Sequence, residues 1–584
     1  MKRITATALS LIIAFSFCIT AYAKEANILT ISNEETGFSS AEYGINLVDA
    51  PIHALSSNLV ENGSFEDMDN GWEFPAVDYV YGKADSMGKN NKTYNVIAVN
   101  GSYLLKNKGY SGMGFKSGEK YYFSCFAKNI DFEGNIFVWL DSDKNSNNIT
   151  QLSTSSISKL GWSSLNAVLE SVEDATGMLA IYLEGTGSLE LDCVRLIPEN
   201  SYGFDKEGWE NASLRSDSFT AIQNLNPSFI RFSLNKSWKT TLGPKSDSTS
   251  EIGAHEFLQL SDDLSCNAIP YISSGNHKMG SNKFNNYKQD ILDFIEYATA
   301  DATTSYYGAL RAANGSYEPF MLKYVQLADG GTGYSEIKSA IEKKYSNITI
   351  LGENDIELIS NNESTMLAST QNASQMLGVK SGFVAYEDTF NSFIELAPNE
   401  ISYSPTYYAQ MLFANNNSDS TLNFSYAGGK TFNIAVYLDK ANNAIYVKAV
   451  NDNASPISFN LNLNGFDGIG NASVQTVSSK FSNAENTIGK HYISPTEKTV
   501  DALDHIKLPA YSVNVIRISY SDKSPETLFS LPVNIDYSTK NYIPAWLIIV
   551  IIAAGLAVPV GTVIGLVLYK RVISKKKKKR TVND

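Results

Sequence analysis

Leu322-Lys323-Tyr324-Val325-Gln326-Leu327-Ala328-Asp329-Gly330 holds a short β-rich run that ends in an Asp-Gly turn signal. A helical pattern over 287–299 leads into it. A second pattern over 334–345 leads out of it to another apolar run, Ile348-Thr349-Ile350-Leu351. Upstream the same alternation holds. A helical pattern over 213–224 precedes Phe229-Ile230-Arg231-Phe232, and one over 253–264 precedes Ala268-Ile269-Pro270-Tyr271-Ile272. Helices alternating with strands mean βα units and a parallel sheet. Six strands are countable: one after Glu42, then those at Ile230, Ile269, Val325, Ile350 and Val384. A closed barrel of this type has eight strands. The expectation is therefore a truncated or distorted (β/α) barrel over 201–403, with open sheet edges covered by another part of the chain.

Flanking this region the texture is all-β. Residues 61–200 carry short runs such as Tyr121-Tyr122-Phe123-Ser124-Cys125-Phe126 and Ile136-Phe137-Val138-Trp139-Leu140, separated by Asn, Gly and Ser clusters. They read as an inserted jelly-roll-like β-sandwich. Residues 24–60 hold N-terminal strands, including the first barrel strand, and 404–520 read as a second β-sandwich. The chain is thus multidomain, α/β plus all-β.

The ends address the chain to a membrane. Lys2 and Arg3, an apolar run over 8–19, and Ala21-Tyr22-Ala23 form a charged n-region, an h-region and an A-x-A cleavage site, a secretory signal peptide over 1–23. Residues 521–543 read as a stalk. Within 544–569 the run from Trp546 to Tyr569 is almost continuously apolar, long enough for a transmembrane helix. The basic tail 570–584 follows, with Lys570, Arg571, Lys575 to Lys579 and Arg580, and orients that tail to the cytoplasm. The expected location is the cell membrane, single-pass, with a large exterior part.

The formal net charge is −14. Setting aside the leader's two positive charges and the tail's net seven leaves −23 for residues 24–569. An acidic exterior argues against nucleic acid and suits a neutral ligand. After leader removal Cys125, Cys193 and Cys266 remain, which is neither a disulfide framework nor a metal-ligand spacing, although Cys125 and Cys193 lie in one module and could pair. No cofactor and no metal are expected.

Several stretches resemble glycoside hydrolase family fifty-one, the α-L-arabinofuranosidases. Leu59-Val60-Glu61-Asn62-Gly63-Ser64-Phe65-Glu66 is similar to that family's "L-V-x-N-x-S-F-E" signature, after which many members insert a carbohydrate-binding module. Leu189 to Pro198 resembles the strand that closes the insert. Gly253 to Leu260, Tyr306 to Gly315 and Leu508 to Val513 resemble further family segments. The resemblance implies retaining hydrolysis, in which one glutamic acid protonates the leaving oxygen and a second, about 5 Å away, attacks the anomeric carbon. It also implies that both sit at the C-terminal ends of barrel strands.

At those positions the chain departs. The family's "G-N-E" is Ala328-Asp329-Gly330 here, so Gly330 stands where the acid/base is expected, and Asp329, one residue away, is the nearest carboxylate. An acidic pair after the first strand is Val48-Asp49, and the "R-F-P-G-G" loop is Arg231-Phe232-Ser233-Leu234-Asn235. Leu351-Gly352-Glu353-Asn354 is similar to the "G-E-Y" strand end, which makes Glu353 the candidate nucleophile. The spacing leaves two readings open: two βα units deleted, or a fifth strand at Ile348–Leu351 with the nucleophile absent. The plain alternative for Glu353 is an exposed helix-start residue.

Three functions follow. The first is an arabinofuranosidase-like surface protein that binds arabinose-containing or related polysaccharide or oligosaccharide with catalysis lost. The second is an active retaining arabinofuranosidase with rearranged carboxylates. The third is a structural or adhesive surface protein. For sugar binding the inserted module offers Trp72, Trp162, Tyr79 and Tyr81, whereas Trp139, inside an apolar strand, reads as core.

Overall fold

The structure is a computed structural model. It describes residues 27–520, apart from 76–78, 83–86, 89–92, 144–147, 235–237, 274–276, 329–332, 361–362 and single residues at 381, 391, 419 and 430; of 79–82 only the backbone is described. The signal peptide, stalk, apolar span and basic tail read from the sequence lie outside the described residues, as do Asp329 and Gly330. Among the described residues no helix is long and apolar enough to cross a membrane.

Six strand positions form the barrel. The first is Ala41–Tyr43 continued by Ile45–Asn46, then come Phe229–Ser233, Asn267–Ile272, Tyr324–Leu327, Thr349–Leu351 continued by Ile356–Ile359, and Gly382–Tyr386. All pairings between them are parallel. The expected open edges are absent among these strands, because two of them bend and serve two neighbours each. Ala41–Tyr43 pairs with Gly382–Tyr386, while its continuation Ile45–Asn46 pairs with Phe229–Ser233. Thr349–Leu351 pairs with Tyr324–Leu327, and after the short turn Glu353–Asp355 its continuation Ile356–Ile359 pairs with Gly382–Tyr386. The ring closes without extra strands.

The first bend rests on Gly44. A Cβ there would lie 2.4 Å from the Phe229 ring. Glycine lets that ring enter the barrel, where Phe229, Ile269, Leu351, Ile356, Phe383 and Ala385 form one buried cluster. Helices over Ser216–Asn224, Ala254–Asp263, Asn282–Thr299, Tyr334–Lys344, Met366–Gly378 and Pro405–Asn415 run between or after the strands. The last of these falls in the stretch read as sandwich. It packs between the barrel and the sandwich, with the Gln410 amide donating to the Gly44 carbonyl at 2.7 Å, the Tyr407 hydroxyl to the Ala221 carbonyl at 2.9 Å and, at its end, the Asn416 amide to Gln475 Oε1 at 2.9 Å.

Between the first barrel strand and the first helix the chain makes the inserted sandwich. Its strands alternate by residue, as a half-buried sheet requires. In Lys120–Asn129, Tyr121, Phe123, Cys125 and Ala127 are buried, and in Glu133–Asp141 Ile136, Val138 and Leu140 are. The 24-residue strand Ala175–Pro198 pairs with Glu133–Asp141 and Tyr94–Asn107, then with Lys120–Asn129. The register shifts between Asp192 and Arg195, where Cys193 takes a positive φ of 50°.

The C-terminal sandwich is a nine-stranded sheet. The strand Ile28–Glu35 belongs to it, antiparallel to Ser420–Ala427 and parallel to Ile457–Asn464, rather than to the barrel whose first strand follows it. Cys125, Cys193 and Cys266 are all buried free thiols, so the pairing considered for the first two is not made.

Candidate functional site at the barrel mouth

In a parallel barrel the loops after the strands share one face, and chemistry collects there. Here that face begins with a buried polar layer. Asn46 ends the first strand, Arg231 lies in the second, Tyr271 in the third and Gln326 in the fourth; Asn46, Arg231 and Gln326 are 4 %, 6 % and 1 % exposed. The guanidinium donates from Nε to Gln326 Oε1 at 2.6 Å and from a terminal nitrogen to Asn46 Oδ1 at 2.8 Å. It lies 4.3 Å from the centre of the Tyr271 ring, a cation–π contact. Gln326 Nε2 donates to the Gly352 and Glu353 carbonyls at 3.1 and 3.3 Å, and Asn46 Nδ2 to the Glu387 carbonyl at 2.6 Å. Hydrogen bonds thereby tie five strand ends together, and the Tyr271 ring contact adds the third strand. Each buried polar group finds a partner, as it must to offset its lost hydration.

Burial pulls the Arg231 pKa below its ordinary value, opposed by Tyr271, Asp49 and Glu353. Asp49 and Glu353 are exposed carboxylates, and both act electrostatically on the one guanidinium. Glu353 opens the turn between the two halves of the fifth strand. Ile348–Leu351 thus leads into a strand next in order to the fourth.

Beside this layer is a cavity of about 130 Å³, lined among others by Leu47, Val48, Ser233, Leu234, Trp238 and Phe257. Val48, Ser233 and Leu234 are the positions at which the family resemblance implies a sugar-binding carboxylate and a glycine loop. Here two of the three are aliphatic, and Ser233, Thr241 and Ser250 give the space its polar part.

Trp72 is not a sugar platform. It is 6 % exposed, stacks on Phe65 at 5.0 Å, and donates its indole N–H to the Asn62 carbonyl at 3.0 Å. The turn Asp69-Asn70-Gly71 ahead of it is polar, but Trp72 enters the strand Trp72–Glu73 with its ring on the core face. Trp162 is half-buried, edge-on to Tyr94 at 5.5 Å. Tyr79 and Tyr81 lie on the strand Tyr79–Gly82, their side chains outside the description. Trp139 is half-buried on the outer face of its strand and is not in the core. Asn46, Tyr271 and Gln326 were missed in the sequence. The available signal was a polar residue inside an apolar strand, as in Tyr324-Val325-Gln326-Leu327.

A barrel with a polar mouth, joined to a C-terminal β-sandwich, is an architecture of glycoside hydrolases. Residues 221–392 match the family model "Alpha-L-arabinofuranosidase 1 domain", and 369–512 match "Alpha-L-arabinofuranosidase C-terminal domain". Alpha-L-arabinofuranosidase 1 of Arabidopsis thaliana is 26 % identical over 293 residues, 44 % of this chain and 42 % of that protein. Alpha-L-arabinofuranosidase A of Aspergillus niger is 25 % identical over 269 residues, 39 % of this chain and 41 % of that protein. The chain therefore spans less than half the length of these relatives. The solved arabinose-bound α-L-arabinofuranosidase MgGH51 shares the fold, with a TM-score of 0.73 over 84 % of this chain and 100 % of that one, at 17 % identity. The two family models, which together run from 221 to 512, place the chain in the α-L-arabinofuranosidase family, glycoside hydrolase family fifty-one.

Proposed function

We propose that this is a surface glycan-binding protein on an arabinofuranosidase scaffold, taking arabinose-containing or related polysaccharide, with hydrolysis lost. The observation that carries it is the small cavity at the mouth, where Val48 and Leu234 stand at positions at which the family resemblance implies a sugar-binding carboxylate and a glycine. A furanose ring held for hydrolysis needs a carboxylate and close backbone approach around its hydroxyls, and the Val48 and Leu234 side chains supply neither. The sequence adds Gly330, which has no proton to give to a leaving group. General acid assistance is worth about a hundred- to ten-thousand-fold. Display at a membrane rests on the apolar run from Trp546 and the basic tail behind it.

A second reading, an active hydrolase with rearranged carboxylates, is favoured by one observation. Asp49 and Glu353 both act electrostatically on Arg231 and oppose its loss of charge. An aryl α-L-arabinofuranoside with a dinitrophenolate leaving group needs little acid assistance, and it separates the two. The proposal expects the same background rate from wild type and Glu353→Gln. Slow turnover that Glu353→Gln abolishes supports the second reading. Restoring Gly330→Glu alone is expected to leave activity at background, because the Val48 and Leu234 walls remain.

A further inference from the structure

The inserted sandwich turns one sheet face outward, and its side chains form an ordered pattern. Phe137 lies opposite Tyr182 across the strand pair, with Gln151 on Phe137's other side and Leu104 beyond Tyr182. Two residues along, Trp139 lies opposite Ala180, and Lys106 beyond it. These positions alternate with Ile136, Val138, Leu140, Leu179, Ile181 and Leu183 of the core, so they point away from it. Phe137, Trp139 and Tyr182 are half-buried, with the Phe137 and Tyr182 ring centres 6.2 Å apart.

Polar groups frame the rings. The Trp139 indole N–H donates to Asp141 Oδ1 at 3.1 Å, and Lys106 pairs with Asp141 at 2.6 Å. Gln151 donates its amide to Asn135 at 2.9 Å. The Ala180 methyl faces outward between Trp139 and Lys106 and is 0 % exposed, covered by its neighbours. The partners named here all lie on this sheet, so the pattern is held by the face itself.

We propose that this face, centred on Trp139 and Tyr182, is the polysaccharide-binding surface of the protein. The inference rests on the glycan-binding reading above and deepens it by naming the surface. A sugar ring has an apolar face of C–H groups and an equator of hydroxyls. The C–H groups carry slight positive charge, and the negative π-face of an aromatic ring attracts them. Hydroxyls need donors and acceptors beside the ring, which Asp141, Lys106, Asn135 and Gln151 supply. Five strands at about 4.8 Å spacing give a face roughly 20 Å wide, room for several sugar units of a chain rather than for one monosaccharide. Lysine and aspartate cancel in charge, so the centre is neutral, and the exterior as a whole is acidic. The chemistry therefore selects a neutral polysaccharide over a polyanion.

The test is affinity electrophoresis and titration of the full chain with soluble arabinoxylan, linear arabinan and, as a polyanion, polygalacturonate. Wild type is expected to bind a neutral polymer and not polygalacturonate. Trp139→Ala and Tyr182→Ala are each expected to weaken that binding tenfold or more, and Asp141→Asn several-fold, with thermal unfolding unchanged. Ligand addition is expected to shift tryptophan fluorescence in wild type and to shift it less in Trp139→Phe. Val168→Ala, on the strand Ser163–Glu170 and 51 % exposed, serves as a control that keeps full affinity. If wild type binds a neutral polymer and the three folded variants bind it equally well, this surface is wrong while the glycan-binding reading stands. If wild type binds none of the polymers, both fail. Preference for polygalacturonate also overturns the assignment.

Discussion

Arg231 does most to organise the barrel mouth, because its guanidinium satisfies two buried acceptors on either side of it, Asn46 on the adjacent strand and Gln326 two strands away. Arg231→Met removes the donor to Gln326 Oε1 and leaves Asn46 Oδ1 only the long bond from the Val48 amide at 3.4 Å. A buried acceptor left unpaired costs about 1–3 kcal/mol, so a loss of about 3 kcal/mol is expected in denaturant unfolding. A loss under 1 kcal/mol would show that the layer is not cooperative. Asp192 in the inserted sandwich is 0 % exposed, and burial, with Glu66 adding repulsion, pushes its pKa up to about 7, against the Met87 and Cys193 amides that lower it. An acid whose folded pKa is raised keeps its proton when the unfolded chain has already lost it. Stability contributed by the protonated form is therefore full below about pH 4 and falls as pH rises toward about 7, by up to about 4 kcal/mol. The melting temperature of wild type is expected to drop between pH 4.5 and 7.5 more steeply than that of Asp192→Asn; parallel slopes would contradict it. Trp72 and Trp139 show the limit of reading single residues. Local polarity favoured the first as exposed and apolar neighbours favoured the second as core, yet alternation about the sheet sets both the other way.

At the scale of elements, six barrel strands are legible as apolar runs between helical patterns, and the structure has strands at all six. What the sequence conceals is their closure. Nothing in Leu351-Gly352-Glu353-Asn354-Asp355-Ile356 announces a strand that bends and changes partners. That outcome depends on neighbours far away in sequence, at Gly382–Tyr386 and Tyr324–Leu327. The bend at Gly44 has a visible residue but an invisible reason, the Phe229 ring beside its α-carbon. Gly44→Ala is expected to cost about 1–3 kcal/mol by overpacking. Phe229→Leu should recover part of that cost in a double-mutant cycle, a coupling that additive losses would rule out. Of the mouth, Arg231 and Glu353 are legible through the family resemblance. Asn46, Tyr271 and Gln326 are not, because their role is fixed by which strand ends meet.

For the whole molecule, the topology inserts the sandwich between the first barrel strand and the first helix, in a loop that leaves the barrel from the mouth face. Asn58 and Arg195, at the two roots of the insert, both contact Glu251, at 3.1 and 2.9 Å, tying them to the connection that follows the second strand. A polysaccharide held on the sandwich is therefore held by a module rooted at the mouth. Membrane display predicts that the intact chain, detected through its basic tail, fractionates with membranes; recovery of that tail in the soluble fraction without lipid contradicts it. The central claim is that this scaffold binds arabinose-containing glycan without cutting it. The most direct measurement is the release of free arabinose from soluble arabinoxylan by the full chain, at a concentration that saturates binding. The account predicts release indistinguishable from buffer. Turnover at ordinary enzymatic rates, about 1–1,000 per second, would contradict it.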